Sequence, residues 1–114
     1  MTGDDPGEII SELRELYLAE LSTHCTELVR EIAAVADEDM KTSAAVLRRV
    51  HRLAGTASMF GLVDIGELAE HIEITMRERL MPGDVAPAAD LRSSLQRLVE
   101  LLTAVLERAR DTGY

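Results

Sequence analysis

The chain has no tryptophan, one phenylalanine and two tyrosines among 114 residues. An aromatic core is therefore excluded, and the interior has to be built from Leu, Ile, Val, Ala and Met, which suits helix packed on helix. A single cysteine, Cys25, excludes an internal disulfide and with it the small stapled folds of secreted domains. No run of 18 apolar residues exists, which excludes a membrane-spanning helix of ordinary length. The acidic start, MTGDDPGE, lacks the basic and apolar regions of a secretory signal, so a cytoplasmic location is expected. Positive charge is also scarce: 12 Lys and Arg stand against 21 Asp and Glu, a net charge of −9. That balance argues against general affinity for nucleic acid or anionic membranes. The scarcity is uneven. Residues 41–60 hold Lys41, Arg48, Arg49 and Arg52 and no acid at all.

What is present is a globular composition, 46 % hydrophobic, in a chain of single-domain length. No repeat or linker divides it, so residues 1–114 read as one domain. The initiating Met and a complete set of bundle helices favour a free-standing protein. Spacing gives four helices. The first runs from residue 6 or 7 to Val35, with Leu18, Leu21, Cys25, Leu28, Ile32 and Val35 at alternating three- and four-residue steps. Ile9, Leu13 and Leu16 fit a different face, which suggests a short lead-in helix or a bend near residues 16–18. The acidic triplet Asp37, Glu38 and Asp39 reads as a polar connection.

The second helix starts around residues 40–43 and turns Val46, Val50, Leu53, Ala57 and Phe60 inward. Gly61 stops it, because glycine takes the left-handed conformation at low cost. Asp64 is the expected N-cap of the third helix, with Glu67 as its capping-box partner. That helix buries Ile65, Leu68, Ile72, Met76 and Leu80, and leaves Ile74 on the far side. A loop at residues 82–87 precedes a last helix with Leu91, Leu95, Leu98, Leu102, Val105 and Ala109 inside. Four amphipathic helices with short connections predict an all-α, antiparallel up-down four-helix bundle.

One stretch, HRLAGTASMFG at residues 51–61, breaks the ordinary rules of a helix interior. At about 100° per residue, Arg48, Arg52, Gly55 and Met59 face away from the core, and His51 stands at the rim about 120° from its centre. An exposed mid-helix glycine costs about 1 kcal/mol relative to alanine, and nothing inside a bundle asks for it. Its missing side chain, beside small Ala54, lets another surface approach the imidazole.

These residues resemble the signature of the histidine-containing phosphotransfer (HPt) domain family, roughly His-x-x-Lys-Gly followed by small residues and a further glycine. Here the run is His51, Arg52, Leu53, Ala54, Gly55, Thr56, Ala57, Ser58, Met59, Phe60 and Gly61. The next helix, LVDIGELAEHIE at 62–73, and the upstream YLAELSTHCTELVREI at 17–32 extend the likeness over most of the chain. The resemblance implies a four-helix bundle with His51 as phosphoacceptor. His51 would exchange a phosphoryl group with receiver-domain aspartates, or take it from a histidine kinase or hybrid kinase, as in two-component signalling. The chain departs from the signature at Ala54, where the family has a lysine thought to hold phosphoryl oxygens. Arg52 and Arg48 are the available substitutes.

Gly55, Ala54, Met59, Arg48, Arg52 and Leu62 are the expected docking residues. The chain is expected to be a monomeric phosphocarrier without a cofactor or metal of its own, Mg²⁺ belonging to the acidic pocket of the partner receiver. Two rival readings stay open. A helical adaptor could bind the same partners without being phosphorylated. A metal-binding bundle would have to use His24, Cys25, His51 and His71, but these lack the paired spacings of a di-iron bundle. Cys25 is expected as a small core residue, and His24 and His71 as surface residues.

Overall fold

Apolar steps of three and four residues produce helices throughout. The structure, a computed structural model, describes residues 6–78 and 88–111, with side chains described over 12–78 and 90–111. Helix α1 (Pro6–Ala33) leads through a 3₁₀ helix (Asp37–Thr42) into α2 (Ala44–Met59), followed by α3 (Val63–Arg77) and α4 (Ala88–Asp111). Among the described residues there is no strand. Helix α1 packs on α2 and α4, and α3 packs on α2 and α4, so the four close a ring in chain order. Their contacts run antiparallel. Tyr17 meets Phe60 while Glu31 meets Arg49, and Cys25 meets Thr103 while the Ile32 carbonyl meets Arg92.

The core takes Leu21, Leu28 and Ile32 from α1 and Val46, Val50, Leu53 and Ala57 from α2. Ile65, Ala69, Ile72 and Met76 come from α3, and Leu91, Leu95, Leu98 and Leu102 from α4. Leu53 and Leu98 are wholly buried, and replacing either by alanine would cost about 2–5 kcal/mol. Arg92 fastens α4 to the end of α1. Its guanidinium donates to the Val35 carbonyl at 2.6 Å and the Ile32 carbonyl at 3.3 Å, and pairs with Asp37.

Several local expectations need correction. Helix α1 runs unbroken through residues 16–18, so there is no separate lead-in helix. Leu13 and Leu16 are more than half exposed, because the antiparallel register carries the start of α1 beyond the end of α4. The acidic triplet is more than a linker: it opens the 3₁₀ helix, which packs on α3 and α4 and buries Met40 completely. Phe60 is not a core residue. It is the C-cap of α2, 44 % exposed, and stacks on buried Tyr17 with ring centroids 3.8 Å apart. Leu80, the 82–87 loop and the side chain of Ile9 lie outside the described residues.

The ends of α2 fix the geometry that matters most. The Ser43 hydroxyl accepts the Val46 amide at 3.3 Å, a side-chain N-cap. At the other end Gly61 has φ 73, as expected of a terminating glycine. The Leu62 amide donates back to the Ala57 carbonyl at 2.9 Å, and the Gly61 amide to that of Ser58 at 3.4 Å, closing a Schellman motif. The chain passes directly from this motif into α3. Leu62 is therefore the N-cap, without a side-chain cap, and its carbonyl accepts the Gly66 amide at 3.0 Å. The expected Asp64–Glu67 capping box does not form, because Asp64 is already inside the first turn.

Candidate functional site

The tight reversal lays α3 back along α2, so residues equally distant from Leu62 face each other. Ser58 and Gly66 are each four residues away, and a Cβ on Gly66 would stand 3.1 Å from the Ser58 Oγ. His51 and Glu73 are each eleven away, and His51 Nδ1 lies 2.7 Å from Glu73 Oε2. The same oxygen accepts from Arg77, at 3.0 Å from Nε and 2.9 Å from Nη2. Burial of Glu73 opposes its charge, but the hydrogen bonds from Arg77 and His51 outweigh it and hold the carboxyl below its ordinary range. An ionised carboxylate can only accept, so Nδ1 is the donor of the His51 bond. In the neutral ring the lone pair then sits on Nε2. The His51 side chain is 66 % exposed, whereas Glu73 is 15 % exposed. The imidazole is held from the protein side and open on the other.

The open face beyond His51 is small and cationic. Nothing lies within 4 Å of a Cβ placed on Gly55, and Met59 is 81 % exposed. Arg48 and Arg52 are exposed, and among the described residues neither side chain forms a hydrogen bond or ion pair. Ala54 and Leu62 sit differently: both are half-buried against the core. Of the four cations at residues 41–60, two lie away from this face. Arg49 turns toward α1, with Nε 2.9 Å from Glu31 Oε1 and Nη1 2.9 Å from His24 Nδ1. Lys41 belongs to the 3₁₀ helix and is half-buried.

His24 is the clearest misplacement, since it is buried at 3 % exposure instead of lying on the surface. Cys25 is only half-buried, 3.7 Å from the Thr103 hydroxyl, and His71 is exposed. Among the described residues no three His, Cys, Asp or Glu side chains converge as metal ligands. None of the described helices is long and apolar enough to cross a membrane.

A family model described as the Hpt domain matches residues 12–111. The chain belongs to the Hpt-domain family. It is also 28 % identical over 106 residues to the chemotaxis protein CheA of Rhizobium meliloti (strain 1021). That alignment covers 91 % of this chain and 14 % of the relative's length. No solved structure matches it. Membership places this Hpt domain among the histidine phosphotransfer modules of two-component signalling.

Glu73 and Arg77 are the residues of this Hpt domain's site that sequence reading missed. The signal that finds them is the turn: once Gly61 and Leu62 are fixed as the reversal, Glu73 is the acid opposite His51, and Arg77 follows one helical turn later.

Proposed function

We propose that this Hpt domain is a phosphorelay intermediate that carries a phosphoryl group on His51 Nε2. The observation that carries the reading is the His51–Glu73 hydrogen bond at 2.7 Å beneath an exposed ring. It leaves Nε2 as the nitrogen that can attack. In transfer from a receiver, the Nε2 lone pair forms a bond to phosphorus while the bond from phosphorus to the aspartyl oxygen breaks. The aspartate leaves as a carboxylate, and the Nδ1 hydrogen stays on the Glu73 side. The return step runs the same bonds backwards. Phosphoryl transfer asks mainly for alignment and for compensation of charge on the transferred oxygens. Gly55 admits the partner closely, and exposed Arg48 and Arg52 supply positive charge. Mg²⁺ belongs to the receiver's acidic pocket.

The likeness to a chemotaxis CheA protein favours a second donor, a kinase that phosphorylates the same histidine from ATP. Both routes end on His51. Incubation with an acetyl-phosphate-charged receiver, or with a CheA-type kinase domain and ATP, is expected to give acid-labile, base-stable label. His51→Gln is expected to give none. Label that persists in His51→Gln would overturn the reading, and a wild-type chain that takes no label from either donor would leave the adaptor in its place.

A further inference from the structure

Two cations on α2, Arg48 and Arg52, stand near His51 in sequence, yet neither is paired with any group around its ring. The cation built into the arrangement comes from α3. Arg77 places two nitrogens, Nε at 3.0 Å and Nη2 at 2.9 Å, on the oxygen of Glu73 that accepts from His51. An exposed i,i+4 ion pair ordinarily contributes only a few tenths of a kcal/mol and carries no further meaning. This one differs in two respects. Its acid is largely buried, 15 % exposed against 57 % for Arg77, and its acid is at once the partner of an imidazole.

The position of that carboxylate decides the imidazole's tautomer. As a carboxylate, Glu73 accepts and the ring hydrogen resides on Nδ1. Where the carboxylate swings away from the ring, nothing holds the hydrogen on Nδ1, and the Nε2–H form, whose outward nitrogen has no lone pair, competes. We infer that Arg77 is a positioning residue for His51: by holding the Glu73 carboxylate against the ring, it keeps the ring hydrogen on Nδ1 and the lone pair on exposed Nε2. This rests on the proposed phosphoacceptor role of His51. It assigns to α3 the cation that α2 lacks, since the position three residues after His51 is Ala54.

The test is Arg77→Ala, with Arg77→Lys as the conservative control. Long-range ¹H–¹⁵N spectra of the unphosphorylated protein read the His51 tautomer directly. Arg77→Ala is expected to move population from the Nδ1–H to the Nε2–H form and to slow phosphotransfer about tenfold, the low end for loss of a group orienting a functional histidine. Arg77→Lys is expected to restore most of both. A wild-type tautomer together with a wild-type rate in Arg77→Ala would reduce the contact to an ordinary surface pair and overturn the inference. A slowed rate with an unchanged tautomer would overturn it too, by making Arg77 a docking residue. The tautomer is measured without any donor. A failure of the relay reading, seen as absent label on the wild type, is thus distinguished from a failure of this one.

Discussion

His24 and His51 project from α1 and α2, and each is linked through its Nδ1 to a chain of one arginine and one glutamate. The order of the groups differs. At His51 the carboxylate is in the middle, so Nδ1 meets an acceptor and the outward nitrogen is left unprotonated. At His24 the guanidinium is in the middle: Arg49 donates to Nδ1 at 2.9 Å and reaches Glu31 with its Nε. The His24 hydrogen is then on Nε2, inside the protein, 3.4 Å from Glu20. Burial first, and the Arg49 charge second, push the His24 imidazole below its ordinary range, with Glu20 opposing in part. The unfolded chain therefore binds a proton there that the folded chain resists. Stability linked to His24 is full above the unfolded pKa, about 6.5, and is lost as pH falls below it. Urea unfolding at pH 7.5 and 5.5 should show a fall in stability that is smaller in His24→Gln. An equal fall in both proteins would assign the effect elsewhere. Glu73 does not confuse the result, because its depressed carboxyl releases stability only on acidification below about 4.5.

At the scale of the element, α2 and α3 form a hairpin whose two helical glycines, one on each helix, do opposite things. Gly66 is buried, and a Cβ there would press the Ser58 hydroxyl at 3.1 Å, so Gly66→Val should force the helices apart and cost about 1–3 kcal/mol. Gly55 is exposed with open space around it, so Gly55→Ala should raise stability by up to about 1 kcal/mol through helix propensity alone. Gly55→Glu should fold with nearly unchanged circular dichroism yet slow phosphotransfer sharply. Normal transfer in that variant would remove the docking account of the glycine. Much of this hairpin was legible beforehand. Periodicity found the inward stripe of α2 down to Ala57, and the exposed glycine and rim histidine followed from the same wheel. Phe60 escaped because a helical face ceases to apply where the chain turns off, one residue before Gly61. Glu73 and His24 escaped because their meaning lies in contacts between helices. Spacing along one helix records which side is apolar. It does not say which acid stands opposite a histidine until the turn sets the register.

For the molecule as a whole, the balance of charge is an argument about encounter more than about stability. The chain carries −9 overall, while the face around His51 presents Arg48 and Arg52, unpaired among the described residues. A partner with an acidic pocket is attracted to that face and repelled by most others, which favours productive orientation and a fast association rate. The third arginine of the segment, Arg49, is spent between α1 and α2 and contributes to folding instead. The two uses separate under salt, since the screening length shrinks from about 10 Å at 0.1 M to about 3 Å at 1 M. Phosphotransfer from a charged receiver, measured below saturation, should slow roughly tenfold over that range. The double variant Arg48→Glu, Arg52→Glu should start slow and respond weakly to salt, with its melting temperature nearly unchanged. Arg49→Gln should do the reverse, keeping the salt response while losing stability, because Glu31 and buried His24 are left without their shared donor. A double variant that retained the wild-type salt dependence would show that the field guiding the partner arises elsewhere on the surface.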